Sequence, residues 1–223
     1  MHDSRFLALI ATGAVVAFLA IVALEHAVVP EFAPAHYMIS EYANAGGLAG
    51  IGGTLALAVW AGSFLALALA GLVAIRAAVR PVRARRFLTA SLIVASLGLL
   101  IAAACPTQAV RGVLPPDDEL TLTGRLHDLG GGIGQVAIFV GAIISLRIPR
   151  VTRSFLIATA VVVLVAAILG PLMAVLDLGA RGLRQRALVV AACTWELALI
   201  SQLSRRQPFR SASVAAVSTR RCP

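Results

Sequence analysis

Lysine is missing from this 223-residue chain, and charge of any kind is scarce, at 13% of residues. A soluble domain carries about 25% charged residues, so so little charge excludes a surface wetted all round. Cysteine is nearly missing too. Its three copies, Cys105, Cys193 and Cys222, are odd in number and show no C-x-x-C spacing, which argues against a disulfide framework or a zinc ribbon. The H-E-x-x-H and H-x-x-x-H spacings of a metal-binding helix are also lacking, and no metal or cofactor is expected. Short alternating segments of about ten residues, the mark of a transmembrane barrel, do not occur.

What fills the chain instead is aliphatic. Apolar residues make up 60% and mean hydropathy is +0.93, gathered in unbroken runs of Ala, Leu, Val and Ile. Runs of about 17 to 25 such residues cross a bilayer core of about 30 Å as helices. Six are read, near 6–24, 51–75, 87–104, 127–146, 154–176 and 187–203. The expected fold is all-α: a polytopic membrane protein, one domain over 1–203 built as a bundle of six transmembrane helices. A basic tail, 204–223, is expected to be disordered or to lie on anionic headgroups. The first run is too long for a secretory signal and is followed by Glu25 and His26 instead of a cleavage site.

Orientation follows from arginine. Of nineteen, fourteen fall in the N-terminus, the second and fourth connections and the tail, and five in the other connections. Both termini are therefore expected in the cytoplasm, and the net charge of +9 reads as membrane topology, with no nucleic-acid partner. The absence of Lys looks like codon bias in a GC-rich bacterial genome, which gives a bacterial inner or plasma membrane as the expected location. Most acids lie in the outer connections, among them Glu25, Glu31, Glu41 and Asp117 to Glu119.

Polar constellations stand out against this background. The first outer loop carries Ser40-Glu41-Tyr42, where Glu41 reads as a base or cation ligand, or else as part of an interfacial loop capped by Ser40. The start of the fourth run reads Arg125-Leu126-His127-Asp128, with an imidazole that works near neutral pH beside an acid that can orient it, or simply two residues ending a helix. At helical spacing His127, Gly131 and Gln135 share one face, while Gly130 and Gly134 form a small-x-x-x-small pair for close packing. Gln185 and Arg186 sit in an arginine-rich outer loop that calls for compensating anions. Glu196 lies near the middle of the last run, where a charge costs about 2.5–3.5 kcal/mol, so it is neutral, paired or functional.

Ile39-Ser40-Glu41-Tyr42, Cys105-Pro106-Thr107, Gly124-Arg125-Leu126-His127-Asp128 and Gly182-x-x-Gln185-Arg186 followed by Trp195 together resemble the membrane family known as domain of unknown function 998. The resemblance runs from the first span through the sixth and implies a fold and a site without a reaction. Cys105 stands where that family has an aromatic residue and Gln108 where it has an Asp, which weighs against an activity needing that acid.

The favoured expectation is an outward-facing polar pocket that binds or handles an amphiphilic, lipid-like ligand with an anionic head. Arg125 and Arg186 would take the head, while Ser40, Gln185, Glu41 and His127 would meet its polar groups. Membrane lipids and such an amphiphile are the expected partners; the oligomeric state is open. The alternative is a membrane-embedded hydrolase or transferase using His127 with Asp128 or Glu41, and a third is a transporter with Glu196 as a proton site.

Overall fold

The computed structural model describes residues 2–77, 82–148, 151–176 and 180–204. Six α-helices account for most of them: α1 (His2–Val28), α2 (Gly47–Ala77), α3 (Val82–Ala104), α4 (Leu122–Ser145), α5 (Arg153–Leu176) and α6 (Arg181–Ser204). A short 3-10 segment occupies Ile39–Asn44. The tail read from the sequence lies, from residue 205 onward, outside the described residues.

The helices start and stop where local chemistry requires. α1 ends two residues before Pro30 and α3 two before Pro106, each just short of a residue that cannot extend a helical ladder. α4 starts behind Thr121, whose extended backbone (φ −70°, ψ 163°) lets its hydroxyl accept from the Gly124 amide. α1 to α4 and α6 each contain a stretch long and apolar enough to cross a membrane. The described apolar stretch of α5 is the shorter Arg153–Leu169.

Consecutive helices pack side by side, and α6 returns against α1 to close a ring. The tightest seam joins α3 to α4. A Cβ added to Gly98 would lie 2.5 Å from the Gly130 carbonyl oxygen, and one added to Gly130 2.8 Å from the Gly98 carbonyl oxygen, so bare backbones touch there. The small-residue pair read from the sequence thus meets a third glycine on the facing helix. Ser91 crosses the same seam, its hydroxyl donating to the Ala137 carbonyl at 2.5 Å.

Inside the ring, Phe18 stacks on Trp60 with centroids 4.8 Å apart, and Phe64 tilts against the same indole. Outside it, the helices present bare hydrocarbon: Leu9 is 71% exposed, and Ile51, Phe87, Val136 and Leu164 are also open. Such a surface suits acyl chains and not water. The chain is thus an all-helical, multi-pass membrane protein.

Candidate functional site

The α1–α2 and α3–α4 connections meet the start of α6 at one end of the bundle, and the motifs singled out in the sequence hold one another there. Val110 and Val113 pair backbone to backbone across a two-residue turn in which Arg111 (φ 55°) and Gly112 (φ 74°) are both left-handed. This bend aims two successive amides the same way. The Glu41 carboxylate accepts from both, at 2.5 Å from Gly112 and 3.1 Å from Arg111. Burial pushes the Glu41 carboxyl above its ordinary 4.5, against the opposing pull of the amides of Gly112, Met38 and Arg111 and of the Arg186 charge. Asn44 ties the same segment to α3's end, donating to the Thr107 carbonyl at 2.6 Å.

Arg186 is the other anchor. Its guanidinium donates to the carbonyls of Pro34 (2.7 Å), Tyr37 (2.5 Å) and Gly182 (3.1 Å), to His26 Nε2 (3.1 Å) and, more loosely, to the Tyr42 hydroxyl (3.4 Å). That planar fork gathers α1's end, the first loop and α6 in one contact. Tyr42 is fully buried, and its phenol is pushed above its ordinary 10 by desolvation, with Arg186 pulling the other way. Gln185 adds a further tie, its carbonyl accepting from the Ile39 amide at 2.5 Å. Gly182 is required by space: a Cβ there would press on the backbone oxygens of Pro34 and Tyr37.

Behind this lattice lies a partly open cavity of about 180 Å³. His127, Gly131 and Gln135, the face read from helical spacing, line it from α4; Ser40 and Ile39 line it from the first loop, and Arg184, Gln185 and Val189 from α6. Phe18, Leu57, Trp60 and Leu99 supply its apolar wall. The His127 ring is fixed by its own seam. Nδ1 lies 2.8 Å from the Ala102 carbonyl and 2.7 Å from that of Cys105. Carbonyls only accept, so Nδ1 carries a hydrogen, and in the neutral ring Nε2 is the acceptor. Pro106 has no N–H to close a helical bond on the Ala102 carbonyl, and His127 meets that carbonyl and the one of Cys105 just past α3.

The expected site residues therefore divide. Ser40, His127, Gln135 and Gln185 share the cavity, whereas Glu41 and Arg186 are absorbed in the loop lattice one residue away from it. Arg125 is exposed and donates to the Asp117 carbonyl at 2.7 Å. Asp128 points elsewhere, into an open apolar groove between α3 and α4 shared with Leu129, Gly132 and Val136. Gln108, the departure from the family pattern, accepts from the Thr121 amide and hydroxyl at 2.7 and 2.8 Å and so ties the loop to the start of α4. Gln108 is not among the residues that line the cavity. Several cavity residues escaped the sequence reading as site residues, among them Arg184, masked by its arginine-rich surroundings, and Trp60, which sits in an unbroken apolar run. Among the described residues no three His, Cys, Asp or Glu side chains gather as a metal-binding group.

Glu196 faces the bundle interior with zero exposure. Trp60 and Ser63 of α2 lie near enough to its carboxyl to act on it as hydrogen-bonding neighbours, but loosely: among the described residues neither carboxyl oxygen nor Trp60 Nε1 has a partner in full hydrogen-bond geometry.

Residues 12–202 match the family described as "Protein of unknown function (DUF998)". The chain belongs to that family. The matched span includes the loop lattice and all of the cavity lining. Among curated proteins and solved structures, nothing matches the chain.

Proposed function

We propose that this DUF998 protein crosses the membrane six times with both termini in the cytoplasm, and that its cavity opens on the outer side to receive the polar head of an amphiphilic, lipid-like ligand. The observation that carries this reading is the lining: one cavity combines a cation (Arg184), neutral hydrogen-bonding groups (Ser40, Gln135, Gln185), an imidazole (His127) and an apolar wall. A volume of about 180 Å³ suits a headgroup and not a whole lipid, so the tails would remain against the hydrocarbon surface of the ring. Arg184 takes over the anion contact first assigned to Arg125 and Arg186, because it lines the cavity. Arg186 and Glu41 act as positioning residues that hold Ser40 and Ile39 over the opening.

An enzymatic reading, a hydrolase or transferase, has one supporting observation. With Nδ1 held by two carbonyls, Nε2 of the neutral His127 ring is an acceptor in the cavity that Ser40 also lines. Its expected carboxylate helpers are engaged elsewhere, Glu41 with amides and Asp128 in the groove, which favours binding over catalysis.

Gly131 offers a clean test. A Cβ added there meets nothing within 4 Å, so Gly131→Leu fills the cavity without disturbing the backbone. Native mass spectrometry of the wild type should retain an anionic amphiphile, and Gly131→Leu and Arg184→Ala should lose it with helicity unchanged. Equal lipid retention in all three proteins would overturn the reading.

A further inference from the structure

The bundle buries an acid that neither the loop lattice nor the cavity lining uses. Glu196 lies seven residues, or about 10 Å, further along α6 than Val189 of the cavity wall. It is wholly buried, and among the described residues its two oxygens have no partner in full hydrogen-bond geometry. The link to the cavity is Trp60: the indole lines the cavity, faces Glu196, and has an unpartnered Nε1 with no exposure. A donor and an acceptor that face each other in an interior without a well-formed bond are rare, because the desolvation of each is left poorly compensated.

The groups around the carboxyl decide what that is. From α2 come Trp60 Nε1, a donor only, and Ser63, whose hydroxyl hydrogen already goes to the Trp60 carbonyl at 2.6 Å and whose lone pairs stay available. From its own helix comes Cys193; among the described residues no other titratable or charged group faces it, and none of these is cationic. One donor and one acceptor match a neutral carboxyl, which accepts from the indole with one oxygen and donates its hydrogen to Ser63 with the other. A metal cation would need several oxygens and would be repelled by the indole hydrogen.

We propose that Glu196 is a proton-binding site of this protein, loaded and unloaded through the cavity past the Trp60 indole. On release the carboxyl O–H bond breaks, the proton passes to water in the cavity, and the remaining carboxylate takes the Trp60 N–H as its donor. The proposal stands on the Glu196 surroundings and does not require that a lipid head occupy the cavity.

The test uses the full chain in lipid nanodiscs. Trp60 and Trp195 are the only tryptophans, so emission reports directly on this neighbourhood. Titration over about pH 4–10 should give a transition in the wild type that Glu196→Gln abolishes. Trp60→Phe should lose the emission change and keep, in infrared difference spectra, the disappearance of a protonated carboxyl band with rising pH. After a pH jump, Gly131→Leu should slow that disappearance about tenfold. The emission transition persisting in Glu196→Gln, or the wild-type carboxyl band being the same as that of Glu196→Gln at every pH, would overturn the proposal. Unchanged exchange in Gly131→Leu would overturn the route through the cavity. Lipid retention, read separately by mass, bears only on the ligand reading.

Discussion

Glu41 shows how an acid in a membrane protein's loop can be chemical in appearance and mechanical in use. Its carboxylate satisfies two amides of a turn seventy residues away, and these amides point outward only because Arg111 and Gly112 are both left-handed. Glu41→Ala orphans both and should cost about 2 kcal/mol or more in detergent unfolding followed by helicity; Glu41→Gln, which keeps one acceptor, should cost less. The pH dependence has a definite sign. Desolvation holds the folded-state carboxyl above 4.5, so as pH rises through the window starting there, the unfolded chain gives up its proton first and the folded state loses relative stability. The advantage of wild type over Glu41→Gln should therefore shrink as pH rises above about 4, and a growing advantage would mean that the amides outweigh burial. The sequence displayed Ser40-Glu41 as a motif but not its partner, since a two-residue turn without Asn or Asp before its Gly gives little local signal.

Among elements, the α3–α4 seam was the most legible. Gly130 and Gly134 announced a close approach by their spacing, and the matching Gly98 on α3 turns it into backbone contact. The seam also makes a sharp distinction: an added Cβ meets backbone at Gly98 and Gly130 but lies 3.4 Å or more from its neighbours at Gly134. Gly98→Ala and Gly130→Ala should thus cost about 1–3 kcal/mol, with Gly134→Ala near neutral, in the same unfolding measurement. Three equal effects would argue against the tight seam. Helix ends were less legible than helix existence. α6 begins at Arg181 and α2 at Gly47, ahead of the apolar runs near 187 and 51, because a hydropathy reading stops at polar residues while the hydrogen-bonded ladder does not. The face His127, Gly131, Gln135 followed from periodicity alone, since three residues on one helix need no tertiary information. Arg184 and Trp60 needed the bundle closed before they met that face.

For the whole molecule, the fourteen-to-five division of arginine predicts the orientation. A reporter active only in the cytoplasm should work when fused after Arg205 and stay silent when inserted at Pro116; a silent fusion after Arg205 would place the cavity on the other side. Ring closure carries a consequence for biogenesis. The first loop depends on the last helix: the Ile39 amide waits for Gln185, 146 residues further on, and the carbonyls of Pro34 and Tyr37 wait for Arg186, across 152 and 149 residues. Helices enter the bilayer in order as the ribosome delivers them, so these early groups stay unmatched through almost the entire synthesis. The loop lattice is thus a late event that reports completeness. A nascent chain halted before Arg181 would hold five inserted helices under an unlatched, protease-accessible first loop, and limited proteolysis of stalled chains should cleave between Val29 and Asn44 until α6 emerges.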